Sequence, residues 1–140
     1  MKCRALKDIL EKDVDKSYDL NPELCKGLVL KESTGSQYGK IEILGYVRNK
    51  KNQSRRIISP NGISPCLAAF THGYAHGYLK DGDRIRRYTP KEFFRLMGLE
   101  DDEIQTIQET GISETQQYKM AGNSIVVDVL TEVLKKLEIT

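Results

Sequence analysis

The chain has no tryptophan, only three cysteines, two histidines and four prolines in 140 residues, and each shortage removes a class of answer. Cys3, Cys25 and Cys66 stand far apart without a Cys-x-x-Cys pair, which excludes a disulfide framework and offers no zinc-site spacing. A reducing compartment is therefore the default. His72 and His76 are four residues apart, a spacing that could seat two imidazoles on one metal, but Gly73 and Gly77 argue against a helix there. No nearby carboxylate or thiolate completes a ligand set, so no metal is expected. Long hydrophobic runs are missing too: no stretch approaches the roughly 20 apolar residues needed to cross a membrane. The opening ten residues carry four charges and no apolar run, unlike a secretory leader. These features point to an intracellular, cytoplasmic, soluble protein without a membrane partner.

A marked excess of charge of one sign is also lacking, since the formal net charge is +2. The distribution is nonetheless uneven. Between Tyr46 and Arg95 there are eleven Lys or Arg against three Asp or Glu, while Glu100 to Gln116 holds six acids and no Lys or Arg. A central region of net +8 suits a polyanion, because phosphate neutralisation supplies most sequence-independent affinity for DNA; a merely solvated loop surface is the alternative. At this length, with 39% hydrophobic residues, one domain with a modest core is expected.

Leu6, Ile9 and Leu10 fall at helical spacing and predict a short helix over about Cys3–Glu11. Leu28–Leu30 and Ile41–Leu44 predict two strands around the turn-rich Ser33–Ser36, with further short strands at Arg56–Ile58 and Tyr78–Leu79. From Thr89 the pattern becomes helical. Thr89 as N-cap, Pro90 and Glu92 form a capping box, and Gly98 ends that helix. An acidic helix from Asp102 to about Glu109 stops at Gly111, and Ser113 with Gln116 opens a short helix through Ala121. Asn123 or Ser124 is then expected to cap a terminal amphipathic helix with Val126, Val129, Leu130, Val133, Leu134 and Leu137 on one side. That apolar side either covers a partner or folds back on Phe93 and Met97. Arg95 is the expected ion-pair partner of Glu92.

Two linked segments then carry a family likeness. Arg87-Tyr88-Thr89-Pro90-Lys91-Glu92-Phe93-Phe94-Arg95-Leu96-Met97-Gly98-Leu99, followed by Gln117-Tyr118-Lys119 and Gly122-Asn123-Ser124, resembles the last two sequence motifs of the DNA cytosine-5 methyltransferases. Upstream, Gln53-Ser54-Arg55-Arg56-Ile57-Ile58-Ser59, Gly62-Ile63-Ser64-Pro65-Cys66-Leu67 and Gly77-Tyr78-Leu79 are similar to the target-recognition region of that family. The family's glycine-rich donor loop, Pro-Cys-Gln nucleophile, Glu-Asn-Val acid and arginine pair have no counterpart here. Pro65-Cys66 is not the nucleophile loop, because Leu67 follows where glutamine would be required; Cys66 is expected to be a small structural residue.

The resemblance implies an α+β fold: a small mixed domain of short strands and loops, residues 1–87, then a C-terminal helical segment, residues 88–140, that completes a methyltransferase domain. It implies chemistry in which a flipped cytosine is attacked at C6 by a cysteine, methylated at C5 from S-adenosylmethionine and released by β-elimination. This chain would hold no catalytic residue and be inactive alone. Its partners would be double-stranded DNA, in a nucleoid-associated setting, and a catalytic N-terminal half or subunit. Candidate DNA contacts are Arg55, Arg56, Ser59, Asn61, Thr71, His72, Tyr74, His76, Lys80 and Arg84, on basic, polar loops able to reach phosphates and base edges. Asn123 and Ser124 are the candidate contacts to the methyl donor. A stand-alone DNA-binding module without methyl transfer is the competing reading.

Overall fold

A computed structural model of the chain describes residues 5–34, 39–67 and 77–137. Four short strands, β1 (Ile43–Tyr46), β2 (Arg56–Ile58), β3 (Tyr78–Asp81) and β4 (Arg84–Arg86), form one sheet in the order β1-β2-β3-β4. The outer pairs are antiparallel and the central β2–β3 pair is parallel, with Ile57 opposite Tyr78 and Ile58 opposite Leu79. Both sheet faces are covered. Ile57 is buried with Leu20 and Val47, while Ile58 and Leu79 join a larger cluster with Tyr88, Phe93, Phe94, Met97, Ile104 and Tyr118. This two-sided burial explains why β2 reads as adjacent isoleucines, since successive strand residues face opposite ways and both sides here are dry.

The predicted strands at Arg56–Ile58 and Tyr78–Leu79 are present. The strand expected at Ile41–Leu44 lies two residues later, as β1. Leu28–Leu30 forms no strand: the segment runs beside β1 and makes a hydrogen bond from Lys31 N to the Leu44 carbonyl. Close approach is the reason, because a side chain on Gly45 would meet Leu30 Cδ2 at 2.9 Å and the Val29 carbonyl at 3.1 Å. Of the helix expected over Cys3–Glu11, the described residues hold a single 3-10 turn, Leu6–Asp8, whose N–H groups at Leu6 and Lys7 are drawn to the Gly62 and Pro60 carbonyls. Strand β4 was not foreseen. It pairs with β3 through a tight turn in which Gly82 has φ +60°, and Leu20 N donates to Ile85 O on its outer side.

After a four-residue helix α1 (Pro22–Cys25), the other α-helices of the described residues follow the sheet: α2 (Pro90–Leu96), α3 (Asp101–Glu109), α4 (Glu114–Asn123) and α5 (Val127–Lys136). The capping box of α2 is formed as its sequence dictates, with Glu92 N donating to Thr89 Oγ1 and Thr89 N donating to Glu92 Oε1. Gly98 stops α2 with φ +88°, a conformation that side-chain-bearing residues rarely adopt. Ser113 caps α4 by accepting from Gln116 N. Tyr118 seals α4 to the end of the sheet: its hydroxyl donates to the Tyr88 carbonyl at 2.6 Å and its ring meets Phe93 edge-on at 5.0 Å. The larger apolar cluster therefore crosses residue 87, joining the sheet and the helices in one core.

Candidate functional site

The basic centre of the chain is a turn and a strand edge. Val47–Asn49 is a 3-10 turn in which Arg48 and Asn49 both have positive φ, 54° and 53°, and Lys50 and Lys51 follow it. Two adjacent non-glycine residues in the left-handed region store backbone strain, which is tolerated where the surroundings fix it and is common at functional loops. A second 3-10 turn, Gln53–Arg55, leads into β2. Gly77 passes so near this turn that a Cβ on it would lie 2.9 Å from the Arg56 carbonyl and 3.1 Å from that of Gln53.

Arg55 and Arg56 differ from the other arginines of the sheet. Arg55 Nη1 and Arg56 Nε and Nη2 are buried atoms without a hydrogen-bond partner. A buried donor left unmade costs about 1–3 kcal/mol, and more when charged, so such groups are kept where something else satisfies them. They are also separated in space. Arg55 lines a cleft of about 260 Å³ with Leu24, Val47, Arg48, Ser54 and Tyr78, on the Ile57 side of the sheet. The charge of Arg56 acts on Tyr88, on the Ile58 side, where burial raises the Tyr88 phenol well above its ordinary value.

The remaining candidates are dispersed. Lys80 is half-buried on β3, opposite Ile85. Asn61 sits in a small network in which its amide donates to Ser33 Oγ at 2.7 Å. Ser59 is fully buried within that network, its hydroxyl accepting from Asn61 N and lying 3.2 Å from Ser33 Oγ; it shapes the Asn61 turn from beneath and has no surface to offer a partner. Glu42 closes the network, and the Thr34 backbone N–H together with the Ser59, Ser33 and Thr34 hydroxyls holds its carboxyl below the usual value. Arg84 is committed internally: Nε and Nη2 donate to Asp19 Oδ1 at 2.8 and 2.5 Å, and Nη1 to the Val14 carbonyl at 2.8 Å. It fastens the N-terminal segment to β4. Thr71, His72, Tyr74 and His76 lie outside the described residues.

The cation facing Glu92 is not the expected Arg95. The partner is Arg86, which is fully buried and forks onto both carboxylate oxygens at 2.8 Å, while its Nε reaches Asp81 at 2.9 Å. Burial disfavours the charged Arg86 guanidinium, but Glu92 and Asp81 more than reverse this and hold it above its ordinary value. Arg95 instead pairs with Asp101 at 2.8 Å and donates to the Ile9 carbonyl. Arg87 lies 4.6 Å over the Tyr18 ring. Cys66, expected to pack as a small apolar residue, is exposed.

At the other end of the chain, the capping role given to Asn123 and Ser124 is overturned. Asn123 is the last residue of α4 and Ser124 is its C-cap, so the Gly-Asn-Ser segment ends one helix and does not begin the next. The N-cap of α5 is Val126, which has no polar side chain; Val127 N is satisfied from outside, by the Met97 carbonyl at 3.0 Å. Both Asn123 and Ser124 are exposed. Beyond this junction α5 buries no residue: Val127, Val129, Leu130, Val133, Leu134 and Leu137 are 43–62% exposed, and only Val126 packs on the core. The helix does not fold back on Phe93 and Met97. Among the described residues no helix is long and apolar enough to cross a membrane, and no group of three His, Cys, Asp or Glu is arranged for a metal.

Arg48 and Tyr78 were missing from the expected contacts. The run Arg48-Asn49-Lys50-Lys51, with its turn-forming asparagine, was the available signal for the first; the inward side of β3 gave none for the second.

Against known proteins, the family model described as C-5 cytosine-specific DNA methylase matches residues 2–138. The orphan methyltransferase M.SPRI of Bacillus phage SPR is 34% identical over 132 residues, covering 91% of this chain and 29% of that protein. The type II methyltransferase M.HhaI of Haemophilus parahaemolyticus is 34% identical over 102 residues, covering 71% of this chain and 28% of its own length. The chain thus spans under a third of each of these relatives. Among solved structures, the Entamoeba histolytica methyltransferase EhMeth superposes with a TM-score of 0.63 at 16% identity, over 99% of this chain and 42% of the other. The S. pombe Dnmt2 methyltransferase gives 0.60 at 19% identity, with 99% and 44% covered. Both likenesses concern the mixed α and β fold.

Proposed function

Because this chain belongs to the C-5 cytosine-specific DNA methylase family, we propose that it is the DNA-recognition part of a cytosine-5 DNA methyltransferase whose nucleophile lies in polypeptide outside these residues. The observation that carries this reading is α5. A helix attached at one end, with six large apolar side chains open on a chain that spans less than half the length of these relatives, fits a surface that the remainder of the enzyme covers. The division of labour follows. Residues 1–87 meet double-stranded DNA through the basic turn and strand edge, with Arg55, Arg56, Asn61 and Lys80 at or near the contact, alongside Thr71, His72, Tyr74 and His76. Ser59 and Arg84 shape and fasten that surface from within. Residues 88–140 join it to the catalytic remainder. An intracellular, nucleoid-associated setting goes with that partner.

In the assembled enzyme S-adenosylmethionine supplies the methyl group. The exposed amide of Asn123 and hydroxyl of Ser124 have the donors and acceptors to meet the carboxylate or hydroxyl groups of such a molecule, and their chemistry fits. Being exposed at the α4–α5 junction, they make one wall of a site and need the covering partner for the rest. Their part is to bind and orient.

Mixing the chain with a catalytic remainder, duplex DNA and labelled donor tests this. Label should enter cytosine only when both polypeptides are present. Cytosine methylation by the chain alone would overturn the reading, and a mixture that binds DNA without ever transferring label would favour a stand-alone DNA-binding module. Asn123→Ala should weaken donor binding in the assembled enzyme and spare duplex affinity; equal loss of both would remove the assigned role.

A further inference from the structure

The cleft between Leu24, the Val47–Asn49 turn and Arg55 has a composition that selects a ligand. Arg48 and Arg55 both line it and no carboxylate does, so the cleft favours an anion. One wall is apolar, made by Leu24, Val47 and the Tyr78 ring. Ser54 spends its hydroxyl proton on Asn52 Oδ1 at 3.0 Å, and the two arginines are the charged donors of the lining. Arg55 Nη1 is a buried atom without a hydrogen-bond partner, whereas the Arg84 guanidinium is tied to Asp19 and the Val14 carbonyl. The cleft volume of about 260 Å³ suits one sugar–phosphate unit and is too small for a stretch of duplex.

From these features we infer that the cleft is an anchor for a single nucleic-acid backbone phosphate, held by Arg55 and Arg48, with the adjoining deoxyribose against Leu24, Val47 and Tyr78. This rests on the DNA-recognition reading and sharpens it: Arg55 positions the duplex and reads no base, since phosphate contacts fix register without carrying sequence.

Duplex binding by the full chain and by Arg55→Gln, measured over a series of salt concentrations and on duplexes of unrelated sequence, tests the anchor. The expected result is a similar loss of affinity on every duplex and a salt slope smaller by about 1, as for removal of one phosphate contact. Arg48→Gln, at an exposed position on the rim, should behave alike. The melting temperature of Arg55→Gln should hold or rise, because the change removes an unpaired buried donor; a fall would make Arg55 a structural residue and overturn the anchor. Loss confined to one sequence, or an unchanged slope, would overturn it too. Failure of the broader reading looks different. If the unchanged chain binds no duplex, a titration with deoxyribose 5-phosphate separates the cases: binding that Arg55→Gln abolishes upholds the cleft while DNA recognition falls, and no binding overturns both.

Discussion

Arg86 and Glu92 are each wholly buried, and the fork between them is completed by Asp81, Glu11 N and Thr89 N. A buried ion pair adds little over an apolar pair of equal volume, but removing one member strands the other. Glu92→Gln should therefore cost roughly 3–5 kcal/mol in urea unfolding, and the double change Arg86→Met with Glu92→Leu should recover most of it. The sequence made Arg95 the natural partner, since it stands one helical turn from Glu92. What it could not show is that Glu92, in the first turn of α2, faces inward toward its cap and so toward β4, a strand too short to be recognised from three residues. Arg95, on the outer side, holds Asp101 instead, and the hydrogen bond from its guanidinium lowers the Asp101 carboxyl below its usual 3.8. A lowered acid stabilises the fold at pH above its unfolded value, and that contribution disappears as pH falls through the folded one. Asp101→Asn should thus be less stable than the parent at neutral pH, with the gap closing in acid below about pH 3.8 and shrinking in high salt, as chemical unfolding at several pH values would record.

At the level of elements, the helices from α2 onward were legible where local chemistry marks their ends: Thr89, Pro90 and Glu92 at one start, Gly98 and Gly111 at two stops, Ser113 at another start. The N-terminal segment and Leu28–Leu30 were misread because their backbone groups are engaged by distant parts of the chain, Gly62 and Leu44, which no local pattern reveals. The α4–α5 junction failed for a related reason. Burial of Tyr118 and Ala121 carries α4 through Gly122 and Asn123, and α5 then starts where Met97 offers a carbonyl. Gly98 is central to this arrangement, since it combines φ +88° with a would-be Cβ only 3.3 Å from Val127 Cβ. Gly98→Ala should cost about 1–3 kcal/mol from backbone strain, with crowding at the α5 anchor adding to it, and a shifted urea midpoint is the measurement. Thr89→Ala, which removes a cap and leaves φ unstrained, should cost about 0.5–2 kcal/mol.

For the whole molecule, the candidate site was legible as a charge distribution and a pair of linked motifs, whereas the individual roles of its residues needed the packing. Ser59 and Arg84 look like surface donors by type and are structural by position; Arg55 and Arg56 look equivalent and serve opposite sides of the sheet. The terminal helix was read from its periodicity as apolar on one side, and its exposure separates folding from assembly. Leu130 and Leu134 are each 43% exposed and one turn apart, so charges placed there meet solvent in the isolated chain and, on the proposed reading, would meet the surface of the catalytic remainder. Leu130→Asp together with Leu134→Asp should leave the urea midpoint within about 0.5 kcal/mol of the parent, as expected for exposed positions. In a mixture with the catalytic remainder, the same double variant should lose co-elution on gel filtration and cytosine labelling while keeping duplex affinity. If the helix were instead a buried part of this chain's own fold in solution, the double variant would lose stability and duplex affinity together, because the core that α5 then covered would carry the recognition sheet with it.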